Sequence, residues 1–270
     1  MTTATSASID LRLTPTLQYL LRIADSCLIH AQRLAEWCGH GPVLEEDIAL
    51  TNMALDLLGQ SRALLTHAAG VEGQGFDEDQ LALLRDERQF FNATLVEQPM
   101  RRSSAHAPGG DFADAVLRNF LLAAWLLPWW TALQQSSDTT LAAIAGKAVK
   151  EARYHRQHAA DWVVRLGDGT AESASRLRNA LARAWPYTHE WFVDDAVDAA
   201  AQSSGIGPAR SSLQAAWLAD VRAVFAPALL EVPAATPFLS TGMQGRHSEH
   251  LGFVLAEMQH LQRTVPGGVW

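Results

Sequence analysis

Four stretches of about 25 residues carry apolar positions at helical spacing, and one of them has no acid beyond its first turn. Long helices in this number pack as a bundle, because each buries its apolar face against its neighbours. The first opens at Thr14-Pro15, a cap followed by a proline tolerated in the first turn, and runs as LQYLLRIADSCLIHAQRLAEWCG to the GHGP break at 39–42. The second extends from Val43 to Ala69, with Glu45, Glu46 and Asp47 in its first turn, where the helix dipole favours acids. Asp111 can cap the third, which reaches Gln135 and contains Pro128, expected to kink it. Asp138 can start the fourth, which runs to Leu166 and is closed by GDG.

Shorter helices are expected at 172–185, 188–203 and 212–230, with VPAATPF a loop and SEHLGFVLAEMQHLQR a final helix. The polar loop GVEGQGFDED and the short segment LALLRDERQFFNATLVEQP separate the second and third long helices. MRRSSAHAPGGD reads as a flexible connection, and its Arg101-Arg102 pair as solvated charge. There is no strand pattern, no repeat and no nucleotide-binding glycine motif. The expected fold is therefore all-α: a four-helix bundle elaborated with additional C-terminal helices. It forms one domain over residues 14–270, behind a flexible N-terminal tail at 1–13.

The net charge of -8 argues against a nucleic-acid surface, which needs a clustered basic excess. The chain has no run of 18 or more apolar residues, and MTTATSASID lacks the basic and apolar regions of a signal peptide. No membrane partner and a cytoplasmic location are expected. Only Lys147 and Lys150 are lysines, so arginine is the cation available to pair with carboxylates or phosphates. Cys27 and Cys38 would stand about 16 Å apart along one helix, too far for a disulfide. Both are expected as free, buried thiols.

EARYHRQHAADW, in the fourth stretch, sets Glu151, His155 and His158 on one helical face. Bundles that hold two irons take a glutamate from each of two helices and a Glu-x-x-His step from each of the other two. Here Tyr154 occupies the i+3 position after Glu151, and Asp56 is followed by Gly59 at i+3 and Gln60 at i+4. The first stretch offers Glu36 and Asp25, with His30 between them. The third is decisive, because from Ala115 to Ser137 it has neither aspartate nor glutamate, and FLLAAWLLPWW fills its centre. Two irons would lack a carboxylate and a histidine. Glu36, Asp56, Gln60, Glu151 and His155 therefore read as the vestige of a metal site, a buried polar cluster with Asn52, Arg62 or Arg153 as partners. A literal Glu-x-x-His, Glu257-Met-Gln-His260, follows His250 in the final helix. It has no second copy, and a surface or interface role is expected for it.

Taken together, EWCGHGPVLEEDIALTNMALDLLGQSR, RDERQFFNATLVEQP, KAVKEARYHRQHAADWVVRLGDGT and SEHLGFVLAEMQHLQRTVPG resemble the C subunits of bacterial phenylacetyl-CoA 1,2-epoxidases. These belong to the ring-oxygenating multicomponent monooxygenases of aerobic phenylacetate catabolism. The resemblance runs from Leu17 to Trp270. It implies a ferritin-like bundle, paralogous to the catalytic A subunit but without its iron, and a structural, non-catalytic role in a hetero-oligomer. The implied partners are the di-iron A subunit, which binds the acyl-CoA, a small B subunit, and a reductase carrying flavin and iron–sulfur centres and using NADPH. No cofactor is implied for this chain.

Contact with phenylacetyl-CoA is a separate question. RDERQFFN offers Arg85 and Arg88 for phosphate, Phe90 or Phe91 for stacking, and Gln89 with Asn92 for amide hydrogen bonds. The alternative is a helix end that packs on the bundle. From the residues alone, a self-sufficient di-iron oxygenase and an acyl-CoA-binding module without chemistry stay open. Faces of the first, second and last helices are the candidate partner contacts. The first, apolar on more than one side (Leu17, Leu20, Leu21, Ile23, Leu28, Ile29, Leu34), fits a wholly buried core helix equally well.

Overall fold

Thr14 caps α1 (Pro15–Ala35) with its hydroxyl, which accepts from the Leu17 amide at 3.2 Å. A computed structural model describes residues 8–100, 110–266 and 268 of the chain. α2 (Leu44–Glu72) carries its three acids in the first turn and ends at Gly73, whose φ of 78° a side chain would resist. α3 (Glu78–Leu83) and α4 (Thr94–Glu97) are short. Asp111 caps α5 (Phe112–Leu133), and Asp138 caps α6 (Thr139–Gly167) by accepting from Thr140 and Leu141. α5 continues for another turn past Pro128.

These four long helices make the bundle: α1 lies against α2, α5 against α6, and α2 against α6. α7 (Ala171–Ala184) covers α5 and α6, α8 (Ala196–Ser203) covers α1, and α9 (Gln214–Phe225) packs on α5. α10 (Glu249–Thr264) lies over α3, α4 and α1. Among the described residues there is no strand, only an isolated bridge between Thr241 and Arg246. The fold is all-α, a bundle with helical additions toward the C-terminus.

α5 is long and apolar enough to cross a membrane by length and composition, but most of it is buried here as a core helix. Its indoles meet those of the added segments: Trp125 stacks on Trp191 at 4.8 Å, and the Trp217 Nε1–H donates to the Leu121 carbonyl at 3.1 Å. Trp129 donates to the Tyr19 hydroxyl at 2.7 Å, and burial pushes that phenol well above its ordinary range. Gly167 is fixed by close approach, since a Cβ there would stand 2.1 Å from the Ala228 carbonyl oxygen.

Two buried ion-pair networks tie distant segments to α1. Asp25 and Arg85, both fully buried, pair at 2.5 and 3.0 Å, and Asp25 also accepts from the Phe91 amide. Arg22 donates to Asp195 and Asp198, to the Met243 carbonyl at 3.0 Å, and shares Asp198 with Arg210. From Leu17 to Leu34 every residue of α1 except Gln18 and Gln32 is buried, which makes it the core helix.

Several expectations need correction. The tail at 1–13 is too long, since Ile9 and Leu11 are buried in the core and the Ile9 amide donates to the Leu84 carbonyl. Cys38 is exposed, because α1 ends at Ala35 and Cys38 falls in the turn beyond it; Cys27 is buried. The helix expected at 188–203 divides into a 3₁₀ segment, Trp185–Phe192, and α8, with the cap Asp195 between them. The 212–230 segment likewise begins as 3₁₀ at Arg210–Leu213 and ends as α9. Arg101, Arg102 and most of the expected connection lie outside the described residues.

Candidate functional site

α1, α2, α5 and α6 each present polar side chains to the middle of the bundle. From α6, Glu151 accepts from the Gln60 amide at 2.9 Å, and Lys147 lies 3.6 Å from its other oxygen. Gln60 in turn accepts from the Cys27 thiol at 3.7 Å, and burial raises that thiol far above its ordinary pKa, which leaves it protonated and inert. One turn away, His155 Nε2 meets Asp56 at 3.0 Å. His158 lies 2.9 Å from Glu46 without the alignment of a hydrogen bond. α5 contributes Asn119, whose amide donates to the Met53 sulfur at 2.9 Å and whose carbonyl oxygen faces His30 Nε2 at 3.4 Å.

Four of the five residues expected in the polar cluster thus form two pairs, Gln60–Glu151 and Asp56–His155, each joining α2 to α6. Glu36 stands apart. It follows Cys27 by nine residues, about 14 Å along the helix, and pairs with Arg33 at 2.5 Å. The partners expected from sequence are also different: Arg62 binds Glu78, while Asn52 and Arg153 are exposed. Asn119 and Met53 were missed. Asn119 is legible as the lone amide in the middle of an apolar helix, but nothing local marks Met53.

The donor set does not fit a two-iron centre. The middle of α5 supplies an amide where such a centre takes a carboxylate, and α1 supplies a thiol and an imidazole. Asp25 is spent on Arg85, and Asp56 is more than one-third exposed. Among the described residues, no group of three or more His, Cys, Asp or Glu side chains converges as metal ligands would. Glu257 and His260 are exposed on α10 and belong to no such group.

His30 makes this interior sensitive to acid. Burial above all, with help from the Arg118 charge, lowers its pKa from 6.5 to about 3, against the weaker effect of Asn119. The folded protein holds it neutral while the unfolded chain protonates it, so His30 erodes stability as pH falls below 6.5. The slope expected from this group is about 1.4 kcal/mol per pH unit. Urea unfolding of wild type and His30→Gln at pH 6.5 and about pH 5 checks it; equal losses in both would remove His30 from the account. His247 has the opposite sign. Burial lowers its pKa, but the Glu97 hydrogen bond and charge prevail, so its net pKa is raised and its contribution is lost as pH climbs past that value.

The segment offered for coenzyme A is largely taken into the fold. Arg85 is spent on Asp25 and on the Gln89 carbonyl, and its guanidinium lies 4.1 Å over the Phe90 ring. Phe90, Phe91 and Asn92 are buried, and Asn92 donates to Glu97 at 2.9 Å. Of the six residues, only Arg88 is exposed and Gln89 half-buried, donating to Asp10 at 3.1 Å. Packing, not ligand contact, explains the aromatic pair.

One long helix face has no cover among the described residues. Leu44, Ile48, Leu55 and Leu58 of α2 are all exposed, Leu44 at 71 %, with Thr51 and Arg62 completing the row. Their alternating spacing of four and three residues is that of helices packed lengthwise. Tyr154 of α6 is exposed beside His155 and His158, the residues that reach α2.

The whole chain, residues 1–270, matches the family described as phenylacetic acid catabolic protein. It is also 47 % identical over 252 residues to the C subunit of 1,2-phenylacetyl-CoA epoxidase from Escherichia coli (strain K12), covering 93 % of this chain and 98 % of that protein. On the strength of a match along its entire length, this chain belongs to the phenylacetic acid catabolic protein family.

Proposed function

We propose that this chain is a non-catalytic structural subunit of a phenylacetyl-CoA epoxidase in phenylacetate breakdown. It pairs with a di-iron catalytic A subunit and holds that subunit's helices in register. The observation that carries this reading is Asn119. It stands in α5, which has no acid beyond Asp114 in its first turn, and faces His30 and Met53 where an iron-binding bundle needs a carboxylate. The 47 % identity to the C subunit of an epoxidase supports the choice of complex. The remaining components follow from the same reading: a small B subunit and a reductase that carries flavin and iron–sulfur centres and draws on NADPH. Iron is then absent from this chain, and acyl-CoA is bound by the A subunit. The cytoplasm is the compartment that holds those reactants.

The uncovered α2 row is the contact we assign to the A subunit, since a paralogous bundle presents helices of matching length. Leu55→Asp combined with Leu58→Asp is expected to abolish co-purification with the A subunit and leave the chain's melting temperature within a few degrees of wild type. Retained co-purification would move the contact elsewhere. Metal analysis tests the central claim. Less than about 0.1 iron per purified chain is expected, because the ligand set lacks a carboxylate and a histidine. Near-stoichiometric iron with oxygenase activity in the isolated chain would sink the reading. Glu151→Ala should weaken stability or assembly together with turnover, whereas loss of turnover in a fully assembled, equally stable complex would count against it.

A further inference from the structure

A cavity of about 520 Å³ opens between the α4–α5 side of the bundle, the start of the 3₁₀ segment at Trp185–Phe192, and the loop before Leu239. That size suits a small organic molecule. Its walls are mainly apolar, with Leu95, Pro186, Tyr187 and Phe238 among them, and the last two rings meet edge to face at 5.3 Å. Two arginines also line it, and they differ in one respect. Arg183 is neutralised by Asp114 through two hydrogen bonds, at 2.8 and 2.9 Å.

Arg118 has no such partner. It is 5 % exposed, its two terminal nitrogens donate to the backbone carbonyls of Gln98 and Pro99, and its Nε is buried with no acceptor. Among the described residues no carboxylate pairs with it. Burial lowers its pKa to about 9, with Asp114 opposing, so the guanidinium still carries its charge at neutral pH. A buried donor without an acceptor is costly, and a buried cation without an anion more so. The cavity therefore holds one positive charge in excess, at an apolar wall with an aromatic corner.

We infer that this cavity is a binding site for a small apolar carboxylate, its body against Tyr187 and Phe238 and its carboxylate on Arg118. A single excess charge suits a monoanion, and a phosphate dianion would need more donors than the one guanidinium supplies. The inference goes beyond the structural role proposed above and does not rest on it, because it concerns this chain alone.

The test is a fluorine NMR titration of the full chain with 6-fluoro-2-naphthoate and with its carboxamide, which has the same shape and no charge. Saturable binding of the acid is expected, at least tenfold tighter than the carboxamide. Arg118→Gln should remove at least tenfold of the acid's affinity and leave the carboxamide's unchanged. Thr236→Trp, at an exposed position on the cavity rim, should weaken both at least threefold without touching the core. It keeps the proposal falsifiable if Arg118→Gln does not fold. Equal affinity for acid and carboxamide, no saturable binding of the acid, or binding indifferent to Thr236→Trp would each overturn the assignment.

Discussion

Arg85→Met is expected to lower the unfolding free energy by about 3–5 kcal/mol, because it leaves the Asp25 carboxylate buried without a counter-ion. Both side chains are fully buried, so water cannot rescue the charge left behind. The loss should be largely insensitive to salt, as screening does not reach a pair enclosed by protein. Arg85 also donates to the Leu81 and Gln89 carbonyls, so the mutation frees backbone acceptors as well as a carboxylate. The double variant Arg85→Met with Asp25→Leu should recover part of the loss, since apolar replacement of a buried pair is often close to neutral. Urea unfolding of the four proteins in the cycle measures this coupling. Strict additivity of the two single losses would show that the pair is not the source of the stability.

Asp198→Ala has a comparable expected effect by the same physics in a larger network. Asp198 accepts from Arg22 at 3.2 Å and from Arg210 twice, at 2.8 Å, and its removal leaves two buried guanidiniums to share the half-buried Asp195. A loss of about 3–5 kcal/mol is expected. That corresponds to a fall in melting temperature on the order of 10 °C. Because the network joins α1 to α8 and the 3₁₀ segment at Arg210–Leu213, those segments should loosen first. Hydrogen exchange should therefore rise in residues 193–245 before it rises in α5 and α6. Uniform exchange across the chain would argue that the network merely adds to global stability.

What could be read from the sequence follows the range of the interaction. Thr14, Asp111 and Asp138 were legible as helix starts because a cap acts within three residues. That Glu151, Gln60, His155 and Asp56 turn toward one another followed from helical faces once four long helices were assumed, but which side chain pairs with which did not. The partners of Asp25 were not legible. Arg85 lies 60 residues away and Asp198 is 176 from Arg22, and no periodicity encodes such a meeting. That is why Arg85 and its neighbours read as a ligand surface when they are core. Cys38 failed for a local reason: the helix ends three residues before it, and boundaries are the least certain part of any pattern. The shortage of lysine was a better clue than it looked, for the buried guanidiniums are Arg22, Arg33, Arg85, Arg118 and Arg210.

The bond from Arg22 to the Met243 carbonyl spans 221 residues, and it bears on how the chain is made. Translation at about 5–20 residues per second separates the emergence of those two residues from the ribosome by roughly 10–45 s. During that interval the nascent α1 has apolar surface on every side and, besides Arg33, the charges of Arg22 and Asp25, whose counter-ions arrive at different times. Arg85 follows Asp25 by 60 residues, but Asp195, Asp198 and Met243 follow Arg22 by 173, 176 and 221. The helix at the centre of the bundle is thus made before the other described helices and enclosed only when the last of them arrives. Premature termination before Met243 yields a product with an open core, a natural client for chaperones and proteases.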